Sequence, residues 1–184
     1  GVQEEDKKRA LELSKSGANV LLIDVAHGDH QNVIDMVHWC KTQDELVDVD
    51  IIAGNIATAE AAELLQTYGA DGLRVGIGGG SLCTTRIKTG FGVPNVTSLE
   101  DIARVSNVPI MADGGLRSSG DISKALAVGA DNVMLGSLLA GTDESPGKIL
   151  ETPNGLYKRY RGSASLETKV SHGQATRNVE GEST

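Results

Sequence analysis

Short runs dominated by Val, Ile and Leu recur along this chain at residues 20–25, 49–53, 73–77, 108–112 and 133–135. Runs of this length, rich in β-branched residues, are the pattern of strands buried in a parallel sheet. Amphipathic stretches lie between them. Residues 4–16 place Ala10, Leu11 and Leu13 among charges, and residues 59–67 and 120–127 behave alike, which predicts helices. Residues 33–41 also read as helical, with Cys40 packed inward. Three helix-like segments end in one repeated string: Ser16-Gly17-Ala18-Asn19, Tyr68-Gly69-Ala70-Asp71 and Val128-Gly129-Ala130-Asp131. Each Gly suits the left-handed residue that closes a helix. Ser98 and Ser119 are placed to cap the helices that follow them.

Strand and helix therefore alternate, which predicts stacked βα units. Every predicted strand ends in a polar or Gly-rich turn: Asp24-Val25-Ala26-His27-Gly28, Gly54-Asn55, residues 76–80, Asp113-Gly114-Gly115 and Gly136-Ser137. A doubly wound sheet concentrates its site at one switch point. Five loaded strand ends favour a (β/α)8 TIM barrel. Five units fall short of eight, so the chain is expected to be a segment of a longer polypeptide. Residues 1–150 would form a partial barrel with a cysteine loop at 76–90, and residues 151–184 a flap or lid over the site.

Composition narrows the function. The formal net charge is -8 and the sequence pI about 5.0, which argues against nucleic acid as a partner. A nucleotide is compatible, since a few backbone amides hold one phosphate. Hydrophobic residues make up 39% and aromatics 3%, so aliphatic residues must build the core. The two cysteines, Cys40 and Cys83, make a poor disulfide framework. No export signal and no long apolar run is evident, so a cytoplasmic enzyme away from membranes is expected.

The strongest chemical signal is Val75-Gly76-Ile77-Gly78-Gly79-Gly80-Ser81-Leu82-Cys83-Thr84-Thr85-Arg86. Glycines expose backbone to a phosphate or a cation, Ser81 adds a hydroxyl, and Cys83 stands on a loop over the barrel mouth as a candidate nucleophile. Thr85 and Arg86 are close enough to assist. The alternative is a plain Gly-rich turn with an inert cysteine. A second signal pairs Asp113-Gly114-Gly115 with Gly136-Ser137 at late strand ends, where barrels bind phosphate, and Asp113 suits ribose hydroxyls. Its alternative is an Asp that caps a helix. Asp24 suits a ribose or an amide. His27 suits a structural or cofactor-stacking role better than a metal, which lacks a second ligand at suitable spacing.

These strings together resemble the IMP dehydrogenase/GMP reductase family over nearly the whole chain. The match includes residues 24–28, 53–55, 78–86, 112–115, Gly136-Ser137-Leu138-Leu139-Ala140-Gly141 and Tyr160-Arg161-Gly162. The resemblance implies that Cys83 forms a covalent adduct with C2 of a purine nucleotide and that Thr85 and Glu180 move protons. It implies that Ser81, Asp113, Gly114, Gly115, Gly136, Ser137, Gly162, Ser163, Ala164, Arg177 and Gly181 bind the nucleotide. Asp24, Val25, Ala26, Ile77 and Gly78 would face a nicotinamide dinucleotide. Carbonyls of Gly78, Gly80 and Cys83 would hold a potassium ion, with Arg86 beside them. A homotetramer is implied as well. Gly79 departs from the family's usual Pro or Ser and is expected to loosen the loop. The short stretch 165–180, with Arg177 three residues before Glu180, is closer to GMP reductase, acting on GMP with NADPH. The alternative is IMP dehydrogenase, acting on IMP with NAD. Leu166 stands where reductases often have Glu. Readings outside the family are a flavin-dependent barrel, which leaves the cysteine loop without a purpose, and a non-catalytic nucleotide-binding module.

Overall fold

A computed structural model describes residues 1–162 together with 165, 170 and 183. Helix α1 (Glu4–Lys15) leads into β1 (Val20–Asp24), followed by α2 (Gln31–Lys41), β2 (Asp50–Ile56), α3 (Ala59–Thr67) and β3 (Gly72–Val75). Two helices then follow in succession, α4 (Thr85–Thr89) and α5 (Asn95–Ala103). The chain continues through β4 (Ile110–Asp113), α6 (Ser119–Ala127), β5 (Asn132–Met134) and α7 (Ser137–Ala140), then a hairpin of β6 (Ile149–Thr152) and β7 (Gly155–Lys158). The first five strands form one parallel sheet in sequential order, an arc of a (β/α)8 barrel.

The repeated string explains how the arc is assembled. Gly17, Gly69 and Gly129 adopt φ of +92°, +99° and +112°. After α1, the Gly17 N–H reaches the Ser14 carbonyl and the Ala18 N–H that of Leu13, and the same pair of bonds recurs after α3 and α6. This motif satisfies the orphan carbonyls of a helix end and turns the chain back to the sheet. The Asp that follows sets the register. Asp71 donates its N–H to the Ile51 carbonyl and accepts the Ile51 N–H on Oδ2 at 2.7 Å. Asp131 does the same with Ile110.

Alternate strand residues face opposite ways. Ile51, Ala53, Leu73, Val75, Ile110 and Ala112 pack outward on Val33, Val37, Cys40, Ala61, Leu65, Leu99 and Ile102 of α2, α3 and α5. The opposite row is the barrel interior. There Asp24 is in register with Gly54, and Gly54 with Arg74.

Two expected caps are corrected. Ser98 is not an N-cap: α5 begins at Asn95, after Pro94 with φ -56°, so Ser98 sits inside the helix and is buried. Pro94 is itself the cap, with an extended ψ of 130°, so the first helical turn begins at Asn95. Ser119 is the first residue of α6, and Ser118 is the cap, accepting the Asp121 N–H at 3.2 Å. Backbone and hydroxyl hydrogen bonds from Arg117 and Ser118 hold the Asp121 carboxyl below its ordinary range. After α7 the hairpin is tethered by the Lys158 ammonium to the carbonyls of Thr142 and Ser145. No helix among the described residues is long and apolar enough to cross a membrane.

Leu73 lies fully buried between the sheet and its helices. Leu73→Ala is expected to lower unfolding free energy by about 2–5 kcal/mol, read from urea denaturation. A loss below about 1 kcal/mol would contradict this packing.

Candidate active site

The carboxyl ends of all five strands surround a cleft of about 520 Å³, within the range of small-ligand sites. Fifteen of the residues singled out in the sequence line it: Asp24, Val25, Ala26, Ile77, Gly78, Gly80, Ser81, Cys83, Thr85, Asp113, Gly114, Gly115, Gly136, Ser137 and Gly162. Arg86 does not. Its guanidinium lies against the loop, donating from Nε to the Ile77 carbonyl at 3.0 Å and from Nη2 to the Val93 carbonyl at 2.8 Å. The five expected residues Ser163, Ala164, Arg177, Glu180 and Gly181 lie outside the described residues, as does Leu166.

Cys83 follows the tight turn 80–83, whose Gly80 carbonyl accepts the Cys83 N–H at 3.1 Å. Its thiol donates to the Thr85 hydroxyl at 3.2 Å, and Thr85 is the first residue of α4. Thiol and hydroxyl are therefore in contact, and both residues line the cleft. Cys40 is the opposite case. It is packed in the core, and burial pushes its thiol up to about 11, a shift that Lys41 and Lys7 reduce but do not cancel.

The floor holds residues that the sequence reading did not assign. Arg74, read there only as part of a strand, is 13% exposed and reaches Asp24 Oδ1 at 2.9 Å from Nη1 and Asp113 Oδ2 at 3.1 Å from Nη2. Asn55 donates to the same Asp113 oxygen at 2.6 Å and to the Gly76 carbonyl at 2.7 Å. Asn55 Oδ1 and Arg74 Nε are buried and have no partner among the described residues. A charged residue in the middle of an apolar run was the available signal for Arg74.

The Tyr160 side chain comes close to Gly136: a Cβ there would lie 2.8 Å from its hydroxyl, which would have to shift. His27 makes an edge-on contact with Phe91, ring centroids 5.3 Å apart, beside the cleft residue Ala26. Among the described residues, no three His, Cys, Asp or Glu gather as a metal cluster.

Residues 1–183 match the family described as IMP dehydrogenase / GMP reductase domain. The chain is 52% identical over 164 residues to an inosine-5'-monophosphate dehydrogenase of Thermoplasma acidophilum, covering 88% of this chain and 33% of the relative. It is 49% identical over 183 residues to a GMP reductase of Leishmania donovani, covering 98% and 37%. Among solved structures, a cysteine-to-alanine variant of Trypanosoma brucei GMP reductase in complex with guanosine 5'-monophosphate superposes with a TM-score of 0.95 at 47% identity, covering 100% of this chain and 40% of that one. The chain thus spans about a third of the length of the curated relatives it matches.

The contrast between the two thiols is measurable. Under mildly alkaline conditions iodoacetamide is expected to label Cys83 and leave Cys40 unmodified until the protein is denatured, read by peptide mass spectrometry. Labelling of native Cys40 at a comparable rate would contradict the buried placement.

Proposed function

Because the chain belongs to the IMP dehydrogenase/GMP reductase family, we propose that it carries the nucleotide site of a purine-nucleotide oxidoreductase, and that its reaction is the NADPH-dependent conversion of GMP to IMP and ammonia. One observation supports the chemistry above the others: the Cys83 thiol and Thr85 hydroxyl are 3.2 Å apart in the cleft that Asp113 also lines. In this reading Asp113 accepts the ribose hydroxyls. The phosphate is held by Ser81, by the backbone of Gly114 and Gly115, and by Gly136 and Ser137, the last at the start of α7.

The Cys83 sulfur attacks C2 of guanine and the exocyclic amine leaves as ammonia, which gives a thioimidate. Thr85, touching the sulfur, relays the proton, and Glu180 serves as its partner in protonating the leaving amine. When bound, the dihydronicotinamide supplies the hydride that reduces C2. The C2–S bond then breaks and Cys83 returns to the thiol. The balance is GMP, NADPH and two protons giving IMP, NADP and ammonium.

The cleft suits such a cofactor. Asn55 Oδ1 is an unpaired acceptor and Arg74 Nε an unpaired donor, both buried in its lining. A primary carboxamide, with one donor and one acceptor group, complements that pair. Asp24, Val25, Ala26, Ile77 and Gly78 would flank it. A potassium ion would be held by carbonyls of Gly78, Gly80 and Cys83 and would order the loop. Arg86, itself a cation, acts there through its hydrogen bonds to Ile77 and Val93. Oxidation of IMP with NAD is the second reading, favoured by the 52% identity to the Thermoplasma acidophilum dehydrogenase. The spacing of Arg177 and Glu180 favours the reductive direction.

Absorbance at 340 nm separates the two. The intact protein is expected to consume NADPH with GMP and not to form NADH from IMP and NAD. The reverse pattern would establish the dehydrogenase reading. Cys83→Ala is expected to lower kcat by more than about a thousandfold, and near-normal turnover would exclude covalent catalysis.

A further inference from the structure

Asn95 is the first residue of α5 and is absent from the lining of the cleft. Its side chain nevertheless joins the two loops that the proposed reaction depends on. Nδ2 donates to the Gly114 carbonyl at 2.8 Å and lies 3.3 Å from the Asp113 carbonyl. Oδ1 accepts from Arg86 Nη2 at 3.0 Å. Arg86 in turn holds the Ile77 carbonyl at the start of the cysteine loop. One amide thus spans from the turn that carries Asp113 to the loop that carries Cys83.

The glycines of the cysteine loop are shaped around this span. A Cβ on Gly79 would lie 2.6 Å from Asn95 Nδ2 and 3.2 Å from Oδ1. A Cβ on Gly78 would lie 2.6 Å from Arg86 Cγ, and one on Gly114 would lie 2.9 Å from the Gly80 amide nitrogen. Gly79 stands where the resemblance leads one to expect Pro or Ser. The room it leaves is filled by Asn95, whose amide a Cβ at position 79 would displace.

We infer that Asn95 is a positioning residue, that it fixes the distance between Cys83 and the nucleotide held at Asp113 and Gly114, and that Gly79 is the residue that admits it. The inference rests on the proposed covalent reaction at Cys83, but its geometry can be tested without turnover. Asn95 itself is absent from the cleft lining, so the inference expects ground-state binding of the nucleotide to change little when it is lost. Attack by sulfur requires placement within a fraction of an ångström, and a displacement of about 1 Å can cost on the order of a hundredfold.

The test is a double-mutant cycle in the intact protein with Asn95→Ala, Gly79→Ser and the combination. Each single variant is expected to lower kcat more than about tenfold with the dissociation constant for GMP changed less than about threefold. Each is also expected to raise the iodoacetamide rate at Cys83, because the loop loses its tie. The combined variant is expected to be no worse than either single one, since both remove the same contact. Gly79→Ser harmless with Asn95 present, effects of the two substitutions that multiply, or equal losses in kcat and affinity would overturn the inference. If the unsubstituted protein turned over neither GMP nor IMP, the proposed reaction would fail, and the alkylation cycle alone would decide the role of Asn95. Non-additive rates would uphold it, and unchanged or multiplying rates would reject it.

Discussion

A guanidinium that is only 13% exposed in the interior of a sheet needs opposite charge close by, and Arg74 has two carboxylates. Its position decides much of what surrounds it. It stands in register with Gly54, whose missing side chain opens the row toward Asp24 on β1. A Cβ on Gly54 would come within 2.8 Å of the Arg74 Cβ. On the other side Arg74 meets Asp113 at the end of β4. Three strand ends are thereby tied through one side chain. The ties hold Asp24 on the proposed cofactor side of the cleft and Asp113 on the proposed nucleotide side. Asn55 completes the arrangement by bonding the same Asp113 oxygen and the Gly76 carbonyl, where β3 gives way to the cysteine loop.

The proposed catalytic pair stands beside that floor. The turn from Gly80 to Cys83 and the start of α4 bring sulfur and hydroxyl together. What local sequence does not supply is the separation between this pair and the nucleotide turn. That separation depends on contacts between loops, and Asn95 and Arg86 are the side chains that bridge them. Reactivity and placement are thus assigned to different residues.

Much of this was legible in the sequence, for identifiable reasons. The strands announced themselves because both faces of a parallel sheet are covered. The three Gly-Ala-Asp or Gly-Ala-Asn strings marked helix ends and strand starts together, since one glycine conformation closes the helix and the next polar residue opens the strand. The cysteine loop and the two Gly-rich turns stood out because such turns at strand ends carry sites. Arg74 and Asn55 were not assigned, because a polar residue inside an apolar run becomes meaningful only when register brings its partners alongside. Asn95 was hidden for a similar reason: its partners lie nine and nineteen residues away in sequence. Ser98 misled because the helix had already begun at Asn95, after its cap Pro94. The hairpin β6–β7 gave little pattern because nearly all of its residues are exposed, so no face is marked by burial.

In the proposed reaction Cys83 bonds to C2 of a purine nucleotide in the cleft that Asp113 and Arg74 shape. Acid quenching during turnover, followed by peptide mass spectrometry, tests it directly. Protein quenched with GMP and NADPH is expected to carry, on the Cys83 peptide alone, the mass of the nucleotide less ammonia. A turning-over protein with no adduct on Cys83, or with the adduct on another residue, would contradict it.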